Sequence, residues 1–142
     1  MDAPPIQYCR TEDGVNLAYW TLGERSHPAL IIVPWGIGHL TVEWEIAQVQ
    51  AWYERLARRF FLVAYDARGS GLSQRSVTDL TLAQYAADIA AIAQKMDLDG
   101  YTLQSAGQRI GDVGVDRTAY GEGLSPSRLS EQADHGRHHE NE

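Results

Sequence analysis

The residues best placed for chemistry lie in one turn, Asp66-Ala67-Arg68-Gly69-Ser70-Gly71-Leu72-Ser73. A carboxylate, a guanidinium and two hydroxyls follow directly on the apolar run 60–65. Six apolar residues are too few for an independent helix and read as a strand buried on both faces. Gly69 and Gly71 allow the positive φ with which a chain turns sharply off a strand end. In parallel α/β sheets that is where sites are built. Ser70 and Ser73 read as hydrogen-bonders of the turn rather than nucleophiles. Arg68 is expected to pair with Asp66 or another carboxylate, with a substrate contact as its alternative role.

Three other constellations are weaker. Gly36-Ile37-Gly38 follows an apolar strand, and Asp66 ends the next one, as in a dinucleotide-binding βαβ unit. Thr41 stands where the third glycine belongs, and Pro34 interrupts the approach. His135-x-x-His138-His139 invites a metal, but no cysteine or regular ligand spacing accompanies it, so it reads as solvated chain and no metal is assigned. Cys9 is the single cysteine. It excludes an internal disulfide and reads as a small buried residue.

The elements that must position these residues alternate. Residues 6–10 and 15–22 are strand-like and joined by Thr11-Glu12-Asp13-Gly14, a hairpin signal. Residues 29–33 form a second apolar strand. Residues 43–59 are predicted to be one helix with the stripe Ile46, Val49, Tyr53, Leu56. Residues 81–96 form another, opened by the capping box Thr81-x-x-Gln84 and striped by Leu82, Tyr85, Ile89, Ile92 and Met96. Tyr101-Thr102-Leu103 starts a further strand. Apolar strands alternating with amphipathic helices predict an α/β fold: an antiparallel hairpin, then parallel βαβαβ, with helices on both faces.

The pattern stops there. From residue 104 to 142 only 9 of 39 residues belong to the apolar set, too few to bury a core. The expected division is therefore a folded 1–103 and a disordered or frameshifted tail 104–142. The net charge of −7 argues against a nucleic-acid partner. No apolar run reaches the length of a membrane span, and the N-terminus lacks the pattern of a signal peptide, so a cytoplasmic location is expected.

The order of elements, the glycine-bearing loop after residues 29–33, the segment His39-Leu-Thr-Val-Glu-Trp-Glu45 and the turn Asp66–Ser73 together resemble the N-terminal part of the α/β-hydrolase superfamily. More narrowly, they resemble hydrolase-like domains found beside bacterial cyclase or transcription-regulator modules. The resemblance covers residues 6 to 103 and implies a hydrolase of a small-molecule ester or similar bond, without a cofactor. It implies an oxyanion-hole main-chain donor at Gly36 or Ile37, and makes the turn of Asp66, Arg68, Gly69, Gly71 and Ser73 a structural feature beside the site.

It also implies a nucleophile in G-x-S-x-G after the fifth strand. Ser105-Ala106-Gly107 supplies half of that motif, and Leu103 replaces its first glycine. Asp112, Asp116, His135, His138 and His139 follow in the chain order of a triad, but too little chain remains to hold them. The expectation is an incomplete hydrolase-type sheet, truncated before its nucleophile and inactive, in which Ser105 is the weak candidate. The alternative is a non-catalytic module binding a small molecule or partner, or an inert fragment. A sheet cut after its central strand is also expected to self-associate through its exposed edge.

Overall fold

The computed structural model describes residues 1–34 and 38–105. The sequence folds into a five-stranded sheet because its apolar runs alternate in two registers. Strands β1 (Gln7–Arg10), β2 (Asn16–Leu22), β3 (Ala29–Val33), β4 (Phe61–Tyr65) and β5 (Tyr101–Ser105) line up in the order β1-β2-β4-β3-β5. β1 and β2 form the expected antiparallel hairpin, and β2 also pairs antiparallel with β4. β3 is parallel to both β4 and β5.

Side chains of successive strand residues point to opposite faces, and each face has its own core. Leu17, Tyr19, Ile31, Val63 and Tyr65 pack with Ile92 and Ala93 of α3 (Leu82–Lys95). Ala18, Trp20, Leu30, Ile32, Leu62 and Ala64 pack on the other face with Leu40, Trp44 and Tyr53, from α1 (Leu40–Glu45) and α2 (Ala47–Ala57). All five residues of β4 are buried, as a strand covered on both sides requires. No helix of the described residues is long and apolar enough to cross a membrane.

Two helix expectations are corrected. The single helix over 43–59 is two helices, broken at Ile46, whose φ of −83° and ψ of 110° are extended. The break has a packing cause. At about 100° per residue, positions 44 and 53 of one continuous helix would face opposite ways. With the break, Trp44 and Tyr53 both reach Trp20, at ring-centroid distances of 5.7 and 4.8 Å. Both contacts are edge-on, a favoured aromatic geometry. Ile46, assigned to the buried stripe, is exposed instead. On α3, Thr81 does cap the helix, its hydroxyl accepting from the Gln84 N–H at 3.3 Å. Leu82, however, is exposed, and Asp88 is among the residues that face the core. β5 also runs two residues past Leu103, pairing Gln104 with Ile32 and Ser105 with Val33.

Candidate functional site at the strand ends

The turn after β4 is built from main-chain bonds. Gly69 and Gly71 take φ of +77° and +53°, and the Ser73 N–H donates to the Ser70 carbonyl at 3.1 Å. Ser73 is buried. Its hydroxyl donates to the Asp66 carbonyl at 2.6 Å and accepts from the Ala18 N–H at 2.8 Å, which ties the turn back to β2. A hydroxyl so engaged is a strut, with no base beside it to activate it.

Arg68 does not pair with Asp66. Its side chain is buried and reaches α3 and the first hairpin. Nε and Nη2 grip both oxygens of Asp88 at 2.8 and 2.6 Å. Nη1 and Nη2 grip both oxygens of Asp13 at 2.8 and 3.1 Å, and Nη1 also donates to the Asp79 carbonyl at 3.1 Å. A guanidinium has five N–H donors, and all five are used. A substrate contact would have to displace one of these bonds, although Arg68 does line the neighbouring pocket. The two carboxylates push the Arg68 pKa further above its ordinary value, Asp88 first.

Arg68 in turn holds Asp13 at about 2, below its ordinary 3.8, with the Thr11 hydroxyl as the second cause. A carboxyl depressed on folding stabilises the fold above its unfolded pKa, and that contribution is lost as pH falls through the folded value. Stability to urea is therefore expected to drop between about pH 4 and pH 2. Asp13→Asn should flatten that part of the profile; an unchanged slope would mean that the pair does not govern it.

Asp66 has a different task. Its carboxylate is 1% exposed and accepts the Leu40 N–H on Oδ1 at 3.0 Å and the Leu72 N–H on Oδ2 at 2.8 Å. Burial pushes its carboxyl up, and these two N–H bonds, with the charges of His39 and Arg75, pull it back. At 1% exposure it offers no surface to a ribose hydroxyl, which counts against the dinucleotide reading.

Beside this turn is a pocket of about 570 Å³, lined by Gly38, His39 and Glu43, by Arg68, Gly69, Ser70, Gly71 and Arg75, and by Tyr85 of α3. His39 presents a buried Nδ1 without a hydrogen-bond partner, and Glu43 accepts from the Tyr53 hydroxyl at 3.2 Å. Several of these residues belong to the glycine loop, the His39–Glu45 segment and the turn read from the sequence, but no local pattern shows that they line one pocket. The only available signal was polar residues at strand ends. Asp88 had a clearer one, an acid on an otherwise apolar helix face, which demands a buried partner.

Of the other candidates, Ser105 is the last residue of β5, at the same sheet end as Val33 of β3. Gly36 and Ile37 lie outside the described residues, as do Asp112, Asp116, His135, His138 and His139. His27 precedes β3 and sits at the opposite end of the sheet. Cys9 is buried, donating to the Ala91 carbonyl at 3.5 Å, and burial pushes its thiol up, away from a reactive thiolate. Among the described residues no group of three or more His, Cys, Asp or Glu side chains is placed to hold a metal ion.

Known proteins share this arrangement. A hydrolase from Pseudomonas aeruginosa PA01 superposes with a TM-score of 0.60 at 29% identity, over 73% of this chain and 37% of its own. An epoxide hydrolase of the α/β-hydrolase superfamily, from hot-environment metagenomes, gives 0.61 at 20% identity, over 74% of this chain and 34% of its own. The fold resembles the α/β-hydrolase superfamily. An esterase of Rhodococcus sp. ECU1013 matches at 0.58 with 25% identity, over 69% of this chain and 34% of its own. Among curated sequences, an uncharacterized protein of Mycobacterium tuberculosis is 30% identical over 101 residues, 71% of this chain. An uncharacterized protein of Mycobacterium bovis matches to the same extent. The chain spans 27% of the length of these curated relatives. No family model matches the sequence.

Proposed function

We propose that this chain is the N-terminal, pocket-forming part of a serine-type α/β hydrolase of small-molecule esters or similar bonds, and that it lacks the nucleophile needed for turnover. The observation that carries the reading is the sheet order β1-β2-β4-β3-β5 together with the way β5 ends. The strand that should deliver the nucleophile is in place beside β3. It carries Leu103 where the first glycine of a nucleophile turn belongs, and Ser105 still belongs to the strand. A working elbow needs its serine on a strained turn beyond the strand, with small residues on either side.

A p-nitrophenyl ester assay tests this on the 142-residue chain. The expected result is hydrolysis at the buffer rate, identical in the wild type and Ser105→Ala. Hydrolysis that disappears in Ser105→Ala would overturn the missing-nucleophile part. The loss of apolar periodicity after Leu103 also supports a change of reading frame at that point. Translation of the coding DNA in the other two frames should then restore a G-x-S-x-G and a βα pattern, and its absence from both would sink the frameshift.

The pocket supports a second reading, ligand binding without catalysis. A site of about 570 Å³ falls within the range of small-molecule pockets, and His39, Glu43, Arg75 and Tyr85 place polar groups around it. Ligand binding that survives in the hydrolytically silent chain would favour this reading over an inert fragment.

A further inference from the structure

We propose that Asp66 is a positioning residue, a latch that fixes the two strand-end loops around the pocket by holding one main-chain N–H from each. The Leu40 N–H begins α1 and follows the loop after β3, whereas the Leu72 N–H belongs to the turn after β4. Each donor has its own carboxylate oxygen. This bidentate contact ties the two segments to one side chain.

The packing around the carboxylate points the same way. A Cβ built on Gly71 would lie 2.2 Å from Asp66 Oδ2 and 2.7 Å from the Gly38 carbonyl oxygen. Gly71 therefore packs against both the carboxylate and the Gly38 carbonyl of the other segment. The same two segments, around Gly38 and around Gly71, line the pocket.

An ionised carboxylate is the side chain suited to this position, because it offers two acceptor oxygens and no donor. Adding a proton removes the charge and leaves one oxygen a hydroxyl, a poorer acceptor, so both N–H bonds weaken. The charged and titratable groups around it are His39 and Glu43 on the β3–α1 side, Tyr53 of α2, and Arg75 of the turn after β4. The balance among them leaves the Asp66 carboxyl above its ordinary value, with burial as the main cause. The latch is thus released by mild acid, before the Asp13–Arg68 contact, which persists to about pH 2. A carboxyl raised on folding takes up its proton more readily in the folded state, so protonating Asp66 does not itself favour unfolding of the sheet.

The test is a titration of the full chain from pH 7 to pH 3, following the amide resonances of Leu40 and Leu72. Both should move with one shared midpoint, above the value of about 3.9 for an unperturbed aspartate. His39→Gln removes a positive neighbour and should move that midpoint higher, whereas Glu43→Gln should leave the shared transition in place. Asp66→Asn should abolish it and speed hydrogen exchange of at least one of the two amides by about tenfold. Separate midpoints, or a transition that vanishes in Glu43→Gln, would overturn the latch. If Asp66→Asn fails to fold, the wild-type and Glu43→Gln titrations decide alone. No outcome depends on hydrolysis, so the latch and the hydrolase reading stand or fall separately.

Discussion

Replacing Arg68 with alanine should lower the stability of the fold by about 3–5 kcal/mol, most of what a domain of this size has to spare. The loss does not equal the attraction of an ion pair. Arg68 is 2% exposed and Asp88 is fully buried. Without the guanidinium, the Asp88 carboxylate stays in the core with no counter-charge, and Asp13 loses the contact that joins the first hairpin to the turn after β4. The cost is that of an orphaned charge. It follows that removing both charges should be gentler than removing one. The double variant Arg68→Met, Asp88→Leu is expected to recover most of the loss, since buried pairs replaced by apolar groups of similar volume are often neutral. Urea unfolding followed by tryptophan fluorescence measures both. A single variant that costs less than about 1 kcal/mol, or a double variant as unstable as the single, would contradict this account of the cluster.

This cluster also shows why the sequence revealed the fold better than the site. Strands and helices announce themselves locally, through periods of two and of about 3.6 residues, so β3, β4, α3 and the hairpin can be read within a short window. Arg68 could be recognised as needing a carboxylate, but its partners lie 55 and 20 positions away, and no local pattern selects them over Asp66. The Ile46 break is similarly invisible. The segment 43–59 has good helical periodicity, and only Trp20, on a strand far back in the chain, makes it better to break the helix and bring both Trp44 and Tyr53 onto the sheet. The turn after β4 was legible as a structural element because its glycines state their own need for positive φ. Its carboxylate was not, since the Leu40 N–H it accepts is contributed by a loop 26 residues earlier.

Gly71→Ala is expected to be the second most damaging single change, at about 2–4 kcal/mol, and its damage should be localised. Two costs combine. The φ of +53° lies in the left-handed region, where a Cβ is disfavoured by about 1–2 kcal/mol. The new methyl would also stand 2.2 Å from Asp66 Oδ2 and 2.4 Å from its Cγ, far inside contact distance. Asp66 cannot swing aside cheaply, because both its oxygens are bound to main-chain N–H groups and its side chain is enclosed. Relief must come from moving the turn, which draws Leu72 off the carboxylate, or from displacing the carboxylate, which releases Leu40. Either way the pocket changes shape. Gly69→Ala provides the comparison: its φ of +77° carries similar strain, but its Cβ would meet the Val77 side chain at 3.1 Å, with Leu80 and the Arg75 carbonyl at ordinary contact distances of 3.7 and 3.9 Å. Gly71→Ala should therefore cost more than Gly69→Ala in urea unfolding, and only Gly71→Ala should accelerate amide exchange at Leu40, whose N–H is held by the other oxygen of the same carboxylate. Equal losses from the two variants, with Leu40 unaffected in both, would mean that backbone strain alone sets the cost and that the carboxylate does not transmit it.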